Sequence, residues 1–116
     1  MKALADQSIL PCDTNSRTLS KTDIKSHLYE LDNWELNTEN KIEQIIKTFN
    51  FKNFIEALSF TNDIAVLAEQ ENHHPKICLE WGRVTISWWT HSVNGLFIND
   101  FIMAAKCDAT YISIVR

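Results

Sequence analysis

Between Asn53 and about Asn72 the residues Phe54, Ala57, Leu58, Ile64, Ala65 and Ala68 recur at three- and four-residue steps. That is the pattern of a long helix with one buried face. Pro75 bounds it, because proline lacks an amide hydrogen and drives the residue before it into extended backbone. The helix therefore has to stop around Asn72 or His73, leaving two adjacent histidines, His73 and His74, at its exit. Beyond them the period changes. Ile77, Leu79 and Trp81, then Val84, Ile86 and Trp88, fall on alternate positions around Gly82, which predicts two strands joined by a tight turn in which glycine takes a positive φ.

The rest of the chain fits around this unit. Ser20 or Thr22 can cap a short helix carrying Ile24, Leu28 and Leu31 and ended by Asp32 and Asn33. The polar run Asn37–Asn40 between two strand-like stretches predicts a hairpin with its turn near residues 37–40. Residues 96–112, with Phe101, Ile102, Ala104, Ala105 and Ala109, read as a closing helix. The order is helix, strand, strand, helix, strand, strand, helix. Hairpins rather than crossovers join the strand pairs, so the expected class is α+β: a four-stranded antiparallel sheet with three helices packed on one face. Residues 1–18 mix Asp, Asn, Ser, Thr and Pro11 without a sustained period. They are expected to be a flexible tail, with a single domain from 19 to 116.

Length and charge narrow the function classes. A chain of 116 residues with 45% apolar and 22% charged residues suits one globular domain. A net charge of -4 with scattered basic residues argues against a nucleic-acid partner. Cys12, Cys78 and Cys107 are odd in number and widely spaced, so neither a disulfide framework nor a zinc knuckle is expected, and a cytoplasmic location is the simplest home. Asp6 and Gln7 interrupt the opening before a signal-peptide core forms, and no stretch approaches the roughly 18 apolar residues of a membrane helix.

The chemistry gathers at the helix exit. Residues four apart share a helical face, so Glu69 is expected beneath His73, where its carboxylate would orient the imidazole, with Asn72 close by. A histidine held in this way suits proton donation near neutral pH. His74, in extended backbone, points elsewhere, and the pair can reach two atoms of one ligand. His91 supplies a third imidazole. It is expected at the end of the fourth strand on the face of Thr85, Ser87 and Trp89, a polar-aromatic surface for a flat heterocycle. Asp100, just inside the last helix, can orient a histidine or hold a polar ligand edge. The bland readings are an exposed strand-end histidine for His91 and a helix-dipole contact for Asp100. His73, His91 and Cys78 would be the zinc candidate, but no metal-ligand spacing accompanies them, so no metal is expected. Cys78 reads as inert packing within a strand.

"ENHHPKI", "VTISWWTH" and "NGLFINDFIMAAK", together with "LDNWEL" and "FNFKNFIEALSF", resemble the successive signatures of the pterin-4a-carbinolamine dehydratases over roughly residues 19–110. The resemblance implies the α+β fold already read from the periods. It also implies a metal-free enzyme whose substrate is itself a pterin cofactor derivative. Members dehydrate 4a-hydroxytetrahydropterin, the by-product of aromatic amino-acid hydroxylases, to quinonoid dihydropterin. Homodimers or homotetramers are implied too. By resemblance His73, His74 and His91 match the active-site histidines and Glu69, Asn72 and Asp100 the supporting positions. Either His73 or His91 would act as acid at the 4a-hydroxyl, while His74 contacts the ring and aids proton transfer at N5. The chain departs from the family in having Phe97 where Thr or Ser is common. This removes a helix-capping hydroxyl and predicts a less firmly placed Asp100. The competing function is a non-catalytic assembly, dimerisation or pterin-binding module on the same fold.

Overall fold

The computed structural model describes residues 3–12 and 16–115. In chain order the elements are α1 (Lys21–Tyr29), β1 (Glu35–Glu39), β2 (Ile42–Asn50), α2 (Phe54–Glu71), β3 (Lys76–Glu80), β4 (Arg83–Trp88) and α3 (Ile98–Val115), with short 3-10 turns at Leu4–Asp6 and His91–Val93. The α+β order read from the sequence is the one found. The four strands form one antiparallel sheet in the order β1-β2-β4-β3.

Alternation decides the faces. Ile45 lies opposite Trp88, Phe49 opposite Val84, and Ile77 opposite Ile86. These side chains point one way and meet Ala57, Phe60 and Ile64 of α2 and Phe101, Ile102 and Ala104 of α3 in one core. The next positions along the same strands face away from the helices, where the Thr48 and Thr85 hydroxyls hydrogen-bond across the strands at 3.0 Å. Ser20 is the cap of α1, its hydroxyl accepting from the Asp23 amide at 3.1 Å, and Asn53 does the same for α2 through the Glu56 amide at 2.8 Å.

Both hairpins differ from expectation. The first turns at Asn40 and Lys41, with φ of 52° and 66°, rather than across 37–40. Two successive left-handed residues make a two-residue turn whose twist matches the strands. The second turns at Trp81 and Gly82, but no glycine has a positive φ among the described residues. Gly82 is needed for close approach instead: its carbonyl accepts from Phe51 N at 2.8 Å, and a Cβ would meet the Phe51 carbonyl oxygen at 3.0 Å. Trp81, expected as a strand residue alternating with Leu79, sits in the turn and is 70% exposed.

Part of the stretch expected as a tail is described; residues 1–2 and 13–15 lie outside the described residues. Leu4 is buried in the core cluster, and Lys106 donates to the Ala5 carbonyl at 2.8 Å, so residues 3–12 run along α3. Leu4, buried in the core, and Ile9, packed against it, are the apolar residues by which that stretch docks.

Away from the histidines, Asp108 of α3 accepts from Lys47 Nζ at 2.7 Å and from Trp34 Nε1 at 3.0 Å. Burial raises the Asp108 carboxyl above the usual carboxylate range, with Lys47 and Trp34 opposing that rise. A carboxyl raised in the folded state favours folding most when protonated, and that contribution fades as pH climbs through its folded value. Lys47 limits the loss. In Lys47→Met the neutral-pH stability is expected to fall by about 1–3 kcal/mol. Urea denaturation should show the deficit shrinking as the pH is taken below the carboxylate range; a deficit that does not vary with pH would contradict this assignment.

Candidate active site

The end of α2 is built by backbone. Asn72 adopts the left-handed conformation, φ 50° and ψ 44°, which asparagine tolerates better than most residues. Its N–H bonds the Glu69 carbonyl at 3.3 Å, while the His73 N–H reaches back to Ala68 O at 3.1 Å. This paired closure ends the helix and turns the chain sharply out. His73 and His74 leave in different directions before Pro75 and β3.

His73 turns inward. Its Nε2 lies 2.7 Å from Asp100 Oδ1, and its side chain is 12% exposed against 0% for Asp100. Its ring stacks on Trp88, centroids 5.4 Å apart and planes 15° from parallel. A carboxylate only accepts, so Nε2 carries the proton of this bond, and Nδ1 is the nitrogen left to exchange a proton with a ligand. Asp100 is fixed in turn: its Oδ2 accepts from Thr90 Oγ1 at 2.8 Å and from the Phe97 amide at 2.9 Å. The expectation that Phe97 leaves Asp100 loosely placed is therefore corrected. The missing hydroxyl is one half of a capping pair, and Asp100 reaching back to the Phe97 N–H is the other half.

The expected Glu69–His73 contact is not formed either. Glu69 Oε2 pairs with His74 Nε2 on the open side of the helix, with Glu69 77% and His74 53% exposed. The helical i,i+4 rule fails because Asn72 leaves the helix one residue before His73, which swings the imidazole off the face it would have occupied.

His91 lies past the strand, in the 3-10 turn after Thr90, not at the end of β4. Thr90 and Gly95 bond each other, with Thr90 N to Gly95 O at 2.8 Å, and Asn94 takes φ 52°. Together they close a small loop that projects His91. Trp89 is tilted against its ring at 5.0 Å.

These elements meet around an open cavity of about 370 Å³ lined by His73, His74, His91, Asn72, Thr90 and Asn99, among others. The size suits one small bicyclic ligand. Of the residues singled out from sequence, His73, His74, His91 and Asn72 line the cavity. Asp100 stands behind His73, Glu69 touches His74, and Trp89 touches His91 from outside the lining. Sequence reasoning missed Thr90, Trp88 and Asn99 as parts of this arrangement, and also Ile9, Leu10, Pro11 and Cys12 in the cavity lining. The zinc candidate is not assembled: Cys78 is exposed on β3, and no metal-holding group of three or more His, Cys, Asp or Glu occurs among the described residues. The Cys107 thiol is pushed far up by burial, so it stays protonated and takes no part in nucleophilic chemistry.

The sequence pattern of the family described as "Pterin 4 alpha carbinolamine dehydratase" matches residues 17–110. A Marinobacter nauticus protein provisionally named a pterin-4-alpha-carbinolamine dehydratase is 43% identical over 111 residues, 96% of this chain and 100% of that protein. A Vibrio cholerae protein of the same provisional name is 52% identical over 98 residues, 84% of this chain and 90% of its own length. Among solved structures, the transcriptional coactivator/pterin dehydratase from Brucella melitensis superposes with a TM-score of 0.73 at 33% identity, covering 80% of this chain and 97% of its own. A pterin dehydratase-like RuBisCO assembly factor of the alpha-carboxysome shares the fold at 22% identity and a TM-score of 0.60, covering 69% of this chain and 90% of its own. With the match spanning most of the chain, this protein belongs to the pterin-4-alpha-carbinolamine dehydratase family.

Proposed function

We propose that this chain removes water from 4a-hydroxytetrahydropterin, giving quinonoid dihydropterin. The observation that carries the reading is the His73 imidazole, held between Trp88 and the buried Asp100 and set on the wall of a cavity it shares with His74 and His91. In the reaction the C4a–O bond breaks, the leaving oxygen gains a proton and departs as water, and the N5 proton is lost as the C4a=N5 double bond forms. Two proton-transfer groups near neutral pH are sufficient. His73, held at Nε2 by Asp100, delivers the proton to the leaving oxygen from Nδ1. His74, paired with the exposed Glu69, receives the N5 proton and passes it to solvent. His91 contacts the ring from the facing loop, and Asn72 and Trp89 hold the two histidine-bearing turns in place.

In the same reading the protein acts in the cytoplasm beside an aromatic amino-acid hydroxylase, restoring the tetrahydropterin that enzyme consumes. It works as a homodimer or homotetramer, for which exposed Phe54, Ile55 and Val66 of α2 offer apolar surface. The competing reading, a non-catalytic assembly or pterin-binding module, draws on the fold shared with the RuBisCO assembly factor. It gives no reason for an imidazole backed by a buried carboxylate. A hydroxylase reaction supplied with tetrahydropterin separates the two. Purified protein is expected to suppress the transient absorbance of the 4a-carbinolamine, and a transient of unchanged height would rule out the dehydratase reading.

A further inference from the structure

One wall of the histidine cavity comes from outside the family pattern. The pattern begins at residue 17, whereas Ile9, Leu10, Pro11 and Cys12 line the cavity. This strap is fastened along α3. Leu4 is buried in the core, Lys106 Nζ donates to Ala5 O at 2.8 Å, and the Asn99 carboxamide closes a two-bond ring with Leu10. In that ring Asn99 Oδ1 accepts from Leu10 N at 2.7 Å and Asn99 Nδ2 donates to Leu10 O at 2.8 Å.

A carboxamide offers one acceptor and one donor in the spacing of a peptide unit, so Asn99 pairs with Leu10 much as a neighbouring strand would. It is 3% exposed and directs its polar atoms to a segment 89 residues away in sequence. Lys106 stands seven residues further along α3, two turns on the same face. The helix is thus a track that delivers the strap to the cavity mouth, where Ser92 Oγ donates to Cys12 Sγ at 3.6 Å, next to His91.

We propose that Asn99 is a positioning residue that holds the Ile9–Cys12 strap across the histidine cavity, where the strap covers one face of the bound pterin and sets its affinity. The inference rests on the dehydratase reading for the identity of the ligand. The imidazoles stand on other elements, so loosening the strap weakens binding while the proton-transfer groups stay in place.

Three full-length proteins test this: wild type, Asn99→Leu, and Leu10→Pro, which deletes the amide hydrogen from a residue whose side chain is largely exposed. The first readout is hydrogen exchange of the peptide spanning the strap. The second is Kd for 7,8-dihydrobiopterin as a stable bicyclic probe, and the third is KM against kcat for the carbinolamine. Both variants are expected to exchange faster in the strap and to raise Kd and KM about tenfold, with kcat within about threefold of wild type. If Asn99→Leu does not fold, Leu10→Pro carries the same comparison. Faster exchange with unchanged Kd and KM would make Asn99 merely structural and overturn the inference; unchanged exchange would overturn it as well. A wild type that neither binds the probe nor accelerates the reaction is a different failure, that of the dehydratase reading and of the ligand named from it.

Discussion

His73→Ala is expected to lower turnover of the 4a-carbinolamine by about 10²-fold or more, the scale on which a positioned acid or base acts. The basis is local. His73 alone among the three cavity histidines has a buried carboxylate behind it, Asp100 at 2.7 Å, and an aromatic plane beneath it, Trp88 at 15° from parallel. Those contacts fix the ring and leave Nδ1 for the substrate. Removing the imidazole also opens a small space beside Trp88, so folding should be verified by circular dichroism before rates are compared. Added imidazole should restore part of the lost rate by occupying that space. His74→Ala is expected to lose less, because His74 is exposed and its partner Glu69 is exposed too. Glu69→Gln should lose less than about fivefold, as befits a surface pair. If His73→Ala folds and turns over at the wild-type rate, its assignment as the acid is wrong.

Asp100→Ala should be the most damaging single change, because it acts on the fold and the chemistry together. Asp100 is fully buried and accepts from His73, from the Thr90 hydroxyl and from the Phe97 amide. Truncation leaves three donors without their acceptor, the Thr90 hydroxyl buried and the other two partly buried. The expected cost is about 3 kcal/mol or more, which for a domain of this size lowers the thermal midpoint by roughly 10 °C or more. The same change frees the His73 ring, so turnover should fall about as far as in His73→Ala, and the double variant should be little worse than either. Fully additive losses would mean that Asp100 and His73 act separately.

These two residues also mark how far the sequence could be read. The elements were legible because their periods are clean: three- and four-residue steps over α2, alternation over β3 and β4, and Pro75 between them. The histidines were legible as a group. Their partners were not, because side-chain pairing depends on where the helix ends to a single residue. With Asn72 in the left-handed conformation, His73 leaves the helical face of Glu69 and meets a carboxylate 27 residues later. Phe97 misled in a similar way: a missing hydroxyl suggested a loose Asp100, but the backbone N–H it would have accompanied still binds that carboxylate. The docking of residues 3–12 depends on Asn99 and Lys106, two polar residues of α3 whose partners no periodicity shows. Gly82 was noticed for the wrong reason, since what it permits is close backbone approach and not a left-handed turn.

The most direct measurement is single-turnover stopped flow. The 4a-carbinolamine is generated by a hydroxylase, mixed with purified protein, and its decay followed by absorbance. The wild-type chain is expected to speed the decay well beyond the spontaneous rate, in proportion to protein concentration, with His73→Ala returning it close to that rate. Decay at the spontaneous rate in the presence of folded wild-type protein that binds 7,8-dihydrobiopterin would contradict the account and leave a pterin-binding module in its place.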